Sequence, residues 1–248
     1  FDHNYKNGVK TMFFRDTYVY IADHGYTKLN HAYAYGGPEL ALSTINKNFD
    51  LNVKDFVTIN FSALSNIIDA LGGVEINITE DELDYVNAYA KDVAKINGTK
   101  VKKIKKPGLQ TLSGVQATGY CRVRYTKGGD FRRAQRQRTV IEQIIKKAKH
   151  SNPVTLYRLM DEFLPQIYTS LDIADILSLA SGVFSYNIKE TFGFPFDTET
   201  PTINGASVVT AVTLSSNVSE LHKKMFNTAG YIPSSTVDYR SNEIAASY

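Results

Sequence analysis

Tryptophan is absent from the 248 residues, and cysteine occurs once, as Cys121. A lone thiol excludes an internal disulfide framework and a cysteine-built zinc site. It suits a cytosolic chain and equally one on the outside of a Gram-positive cell. The five histidines are scattered, which argues against a histidine metal centre. No apolar run approaches the ~20 residues of a membrane span, and no signal-peptide pattern opens the chain. GxGxxG, Walker A, HExxH and GxSxG are all missing, so dinucleotide, P-loop, zincin and nucleophile-elbow chemistry lack their usual signatures. Acid is scarce in one place above all. Residues 100–149 hold 15 Lys/Arg against two acids, Asp130 and Glu142, a local charge of +13; the remainder holds 13 bases and 23 acids.

What is present suits a globular protein. Hydrophobic residues make up 43% and charged residues 21%, enough apolar side chain for one large core. The reading is a single domain over residues 1–226, followed by a polar, extended tail over 227–248. Residues 9–14, 17–21, 55–61, 74–78, 119–126, 190–196 and 207–213 read as strands. Gly36-Gly37-Pro38 opens a helix to Phe49, Ser62 caps one ended by Gly72-Gly73, and Thr79 caps one to Ile96. VKKIKKPGLQ reads as a polar link, its Lys102-Lys103 and Lys105-Lys106 solvated or, less favoured, in contact with a polyanion or lipid surface. Ser113 caps a short helix through Ala117, and Asp130 reads as the N-cap of a long helix to Lys149. Helices over 153–167, 172–184 and 218–226 complete an α/β chain: a central mixed β-sheet with helices on both faces.

The basic window points to an anionic partner, whether nucleic acid, lipid or phosphorylated substrate. If GYCRVRYT is a strand, Arg122 and Arg124 share one face about 7 Å apart, where they need a counter-charge or solvent. In the next helix, with Arg133 at zero, Gln137 falls at about 40°, Ile144 at about 20° and Ala148 at about 60°. Arg133 and Gln137 therefore continue an apolar stripe, Arg132 falls away from it, and Arg136 lies at its margin. An inward arginine in a first helical turn is either paired with a buried carboxylate or part of a phosphate site. Nucleic acid fits less well, because the specific arginines face inward and no aromatic-interleaved basic platform accompanies them.

Five stretches carry a resemblance: FRDTYVYI (14–21), KLNHAYAYGGPELA (28–41), IDALGGVEINI (68–78), LSGVQATGYCRVRYTKGGDFRRAQRQRTVI (112–141) and TSLDIADILSLASGVF (169–184). In this order they resemble the LytR-CpsA-Psr (LCP) family of cell-wall enzymes, over roughly residues 15–225. The resemblance implies a mixed sheet flanked by helices, with an apolar tunnel for a polyprenyl chain. It implies a phosphotransferase that moves a teichoic acid, capsule or similar glycopolymer from an undecaprenyl-pyrophosphate carrier to a peptidoglycan hydroxyl. The alternative is a non-catalytic binder of the same lipid or polymer. By match, Arg15, Arg122, Arg124, Arg133 and Gln137 grip the pyrophosphate. Catalysis falls to Arg15, Arg122, Arg133 and Asp130, with two roles open to Asp130: accepting the hydroxyl proton, or capping the helix and orienting the arginines, the second being favoured. Asp16 reads as a structural partner of Arg15. The lining of the tunnel is expected from helices near 38–49, 62–71 and 172–184.

The resemblance also implies Mg²⁺, whose usual aspartate ligands match nothing here and would lie upstream of Phe1, so the metal ligands are unknown. The implied partners are lipid-linked glycopolymer, peptidoglycan and membrane lipid, not nucleic acid. The implied location is the extracellular face of the cytoplasmic membrane, reached by an N-terminal helix that this chain lacks. Where the family has SIPRD this chain has MFFRD, which puts the backbone setting of Arg15 in question.

Overall fold

The computed structural model describes residues 7–182 and 187–247, and the side chain of Asp130 lies outside the described ones. The first elements are β1 (Asn7–Phe13), β2 (Tyr18–Ile21), β3 (Gly25–Lys28), α1 (Leu29–Phe49), β4 (Val57–Thr58), α2 (Phe61–Ala70), β5 (Val74–Ile78) and α3 (Glu80–Ile96). Next come β6 (Gly108–Leu112), α4 (Gly114–Arg122), α5 (Gly129–His150), α6 (Pro153–Phe163), a 3-10 turn (Leu164–Gln166), β7 (Tyr168–Thr169) and α7 (Ile173–Gly182). The last are β8 (Asn187–Phe194), β9 (Thr198–Glu199), β10 (Thr202–Ile203), β11 (Ala206–Ser207), β12 (Thr210–Ala211), α8 (Leu214–Phe226) and α9 (Ser235–Ala245). The end of the helix expected over 172–184 falls outside the described residues.

The class is α/β. Among the described residues the strands pair two by two rather than in one broad sheet. Among the described strands, β1 and β8 pair in parallel. Parallel neighbours need a long crossover, and here it includes a whole second unit. The chain divides into two compact units, residues 1–56 with 186–248, and residues 57–185.

The first unit packs Val19, Ile21, Phe49, Phe194, Leu214 and Leu221 into its core. Phe13 stacks on Phe49 with ring centroids 5.0 Å apart, so the Phe13 of MFFRD serves packing. α1 starts earlier than Gly36 and bends there. Gly37 takes φ 65°, ψ −160°, a conformation open to glycine and hardly to other residues. Pro38 then begins the second segment, where its missing N–H costs no hydrogen bond.

The expected extended tail is instead helix α9. Val237 and Ile244, seven residues apart and so on one face, are buried in the same core. Asp50 fixes the helix start, accepting from the Ser234 N–H and Oγ at 2.7 Å each.

The second unit is built on α3 and α4. The expected strand over 55–61 shrinks to β4, because Asn60 rather than Ser62 caps α2, its side chain accepting from the Ala63 N–H at 2.8 Å. β5 alternates buried and exposed residues as predicted. Its partner is β6, cut from a segment that reads as polar link. Leu112 is the buried anchor of that strand. A capping box joins Thr79 and Glu82 at the start of α3.

Candidate functional site

The arginine-rich stretch begins on a helix, not a strand. α4 opens with a capping box in which Gln116 Oε1 accepts from the Ser113 N–H at 2.8 Å, and it runs through Arg122. Two glycines decide this. A Cβ on Gly119 would lie 2.6 Å from the Ala90 nitrogen of α3, and one on Gly114 would collide with the Ser65 backbone of α2. Close packing on two helices outweighs the strand-like look of GYCRVRYT.

Arg122 and Arg124 therefore do not share a strand face. Arg122 ends α4, half-buried, its guanidinium 5.6 Å from the Phe61 ring centroid and 5.3 Å from that of Tyr89. Such cation–π contacts hold a guanidinium plane without neutralising it. Arg124 lies two residues on, exposed, in the link to α5.

The N-cap of α5 is Gly128, at φ 95°, not Asp130. Asp130 is the second residue of the helix, because two left-handed glycines turn the chain sooner than the sequence suggests. Arg133 is 8% exposed, as its stripe position predicts, while Arg132 is exposed. Gln137 reaches back to the last turn of α4, its Nε2 donating to the Cys121 carbonyl over a long 3.5 Å.

Among the described residues the deepest cation is Arg136, which the stripe places only at its margin. It is 1% exposed. Its Nε donates to Glu82 Oε1 at 2.8 Å and its Nη1 to the Val123 carbonyl at 3.0 Å. Its Nη2 donates to Thr126 Oγ1. The other Glu82 oxygen accepts from the Thr79 N–H at 3.0 Å. One carboxylate thus closes the α3 cap and fixes α5. A buried arginine–carboxylate pair therefore exists at Arg136, three residues beyond Arg133. The Thr-x-x-Glu pattern at 79–82 was the signal that could have found its acid.

Burial pushes two groups on α4 upward: the Cys121 thiol from its ordinary 9.0 to about 12, and the Tyr120 phenol from 10.0 to about 12, with the Glu82 charge adding to the effect. Neither ionises near neutrality, so Cys121 is no nucleophile.

Arg15 belongs to the first unit. Its backbone is set in the turn before β2, the Asn30 N–H donating to its carbonyl at 3.0 Å. Its Nε lies 3.6 Å from Asp16 Oδ1, and Lys28 Nζ lies 4.0 Å from the same oxygen. Asp16 is a partner of cations, as its position suggests. Among the described residues no three His, Cys, Asp or Glu side chains gather as a metal-holding group.

The second unit also holds an apolar cavity of about 330 Å³. Ile67 of α2 and Ile176 and Leu179 of α7 line it, as expected from those helices. The 38–49 face does not, because Leu40, Ala41, Ile45 and Phe49 pack the core of the first unit. Its place is taken by α6 and the turn after it, through Leu156, Met160, Phe163 and Leu164. Helix α2 joins cavity and arginine: Phe61 stands under Arg122 and Ile67 stands in the cavity wall, about 9 Å apart along the axis.

The LytR_cpsA_psr family model matches residues 4–226. The chain belongs to this family. It is 32% identical over 178 residues to the polyisoprenyl-teichoic acid–peptidoglycan teichoic acid transferase TagT of Bacillus subtilis, covering 71% of this chain and 52% of that protein. The structure of TagT bound to LIIa-WTA superposes with a TM-score of 0.70 at 27% identity, covering 93% of this chain and 83% of that one. The structure of the family protein YwtF (TagT) with bound octaprenyl pyrophosphate lipid gives 0.65 at 27% identity, covering 93% and 82%. This LCP chain spans about half the length of the curated relatives it matches.

Proposed function

We propose that this LCP chain is a phosphotransferase that moves a glycopolymer from an undecaprenyl-pyrophosphate carrier to a peptidoglycan hydroxyl. The observation that carries the reading is the pairing, in one unit, of a wholly apolar cavity with the buried Arg133 and the ring-seated Arg122. The cavity suits part of a prenyl chain. The arginines, with Arg124 and Gln137, suit its pyrophosphate. The TagT likenesses support both halves, since one bears a polyprenyl pyrophosphate lipid.

In this reaction the acceptor oxygen forms a bond to the phosphorus that bears the glycopolymer. The bond from that phosphorus to the bridging oxygen breaks, and the lipid leaves as its monophosphate. Charge grows on the equatorial and leaving oxygens, and guanidiniums fixed beforehand stabilise it without rearranging. Arg122 is held by rings rather than by acid, which leaves its charge for the phosphate. Arg133 is the fifth residue of α5, in its second turn, close to an N-terminus whose dipole also favours an anion. Asp130 is proposed to orient these arginines, with proton acceptance from the hydroxyl as its second role. Mg²⁺ assistance belongs to the same proposal. The described carboxylates do not form a cluster that would hold the ion, so no step is routed through it. The site of action would be the outer face of the cytoplasmic membrane of a Gram-positive cell. No described helix is long and apolar enough to cross a membrane.

Transfer of labelled polymer to peptidoglycan tests the reading. Arg133→Ala is expected to lose on the order of 100-fold in rate, about 3 kcal/mol, while Arg132→Ala stays near wild type. Equal losses would reject the assignment. Lipid binding without any transfer would establish the non-catalytic binder instead.

A further inference from the structure

The five lysines between 100 and 106 read as a solvated link, but the structure holds that segment firmly. The Asn87 side chain clamps Ile104 at both backbone groups, donating to its carbonyl at 3.0 Å and accepting from its N–H at 2.8 Å. Gln116 Nε2 donates to the Lys102 carbonyl at 2.8 Å. Ile104 is buried, and Val101 packs against Val93, Ala94 and Val115. The segment thus lies against α3 with its backbone fixed and its lysines outward.

Between the two runs a groove of about 920 Å³. Lys91 and Lys95 border it from α3, one turn apart, and Lys100, Lys102 and Lys103 border it from the segment. Asp84 and Asp92 lie in the same lining, which leaves a net positive groove. Among the described residues none of these five lysines makes an ion pair. Five unpaired ammoniums facing one concavity repel each other and attract a multivalent anion.

We infer that this groove binds a repeating phosphodiester chain, the anionic polymer that the proposed function would bring to this molecule; the inference rests on that reading. Shape and composition select the chain over other polyanions. A bilayer is a flat surface and meets lysines on a convex face, not within a groove. A single-stranded nucleic acid wants aromatic rings to stack on, and the lining holds none. Lysine, a mobile point charge, suits successive phosphates along a flexible chain, where a rigid guanidinium fork suits one fixed group.

The test is equilibrium binding of a fluorescent poly(glycerol phosphate) oligomer to the whole chain at 50 and 200 mM salt, with uncharged dextran as the blank. Affinity is expected to fall about tenfold or more across that salt range. The variant with Lys91→Gln, Lys95→Gln, Lys102→Gln and Lys103→Gln is expected to lose roughly tenfold or more at low salt. A control with equal charge loss on α5 (Arg132→Gln, Lys146→Gln, Lys147→Gln, Lys149→Gln) is expected to stay within about threefold, and both should melt like wild type. Equal losses in the two variants would overturn the groove, showing only a response to net charge. So would an oligomer that fails to bind while phosphatidylglycerol vesicles bind through the same lysines. Transfer is assayed on the same proteins. Transfer together with lysine-independent oligomer binding sinks the groove and leaves the function standing. Lysine-dependent binding with no transfer does the reverse.

Discussion

The arginines of 122–138 and the lysines of 100–106 come from one basic window, yet the fold treats them differently. Arg136 is sealed against Glu82, Arg133 is buried and Arg122 lies over two rings. The lysines all stay in water. The difference follows from side-chain chemistry. A guanidinium is weakly hydrated and planar, so it can be stacked or forked into a packed site. An ammonium keeps its water unless a carboxylate replaces it. Two neighbouring blocks of positive charge therefore serve different ends, one as part of a core and one as a surface field.

The sharpest way to break this comparison is Arg136→Ala. It would leave the Glu82 charge buried and uncompensated, and the Val123 carbonyl without its donor. A loss of about 3–5 kcal/mol is expected, read from urea unfolding, with activity falling only because the protein unfolds. A variant that stays stable yet loses transfer would move Arg136 into the chemistry.

A second, smaller effect appears with pH. Tyr120 and Cys121 keep their protons in the folded state up to about 12, whereas the unfolded chain releases them near 10 and 9 respectively. Their folded values are raised, so their stabilisation is whole below pH 9 and is lost as pH climbs from there toward 12. The urea midpoint should fall over that window, and Cys121→Ala should make the fall shallower. An unchanged slope in Cys121→Ala would show that the thiol does not contribute. The smallest effect belongs to the lysines. Lys105→Gln should change stability by ~0.5 kcal/mol or less, and a larger loss would mean that the segment is held by its charges rather than by Asn87 and Ile104.

Capping residues and periodicity together located α3, β5 and α5, and periodicity placed Arg133 inward and Arg132 outward, because side chains on a regular element have no choice of direction. Matching of motifs supplied the family and its arginines. Sequence did not reveal that 119–122 are helical. That outcome depends on Gly114 and Gly119 meeting Ser65 and Ala90, contacts between residues about thirty to fifty positions apart. Nor did it reveal that Glu82 pairs with Arg136. A capping acid and a margin arginine look ordinary until the α3 cap and the α5 face are brought together. The α9 helix was hidden for a similar reason: only two apolar residues mark its inner face, and Asp50 fixes its start from the far end of α1. Local pattern sets which way a residue faces on its own element. Which residues then become neighbours, and so which charge is paired, seated on a ring or left in water, was decided only by packing.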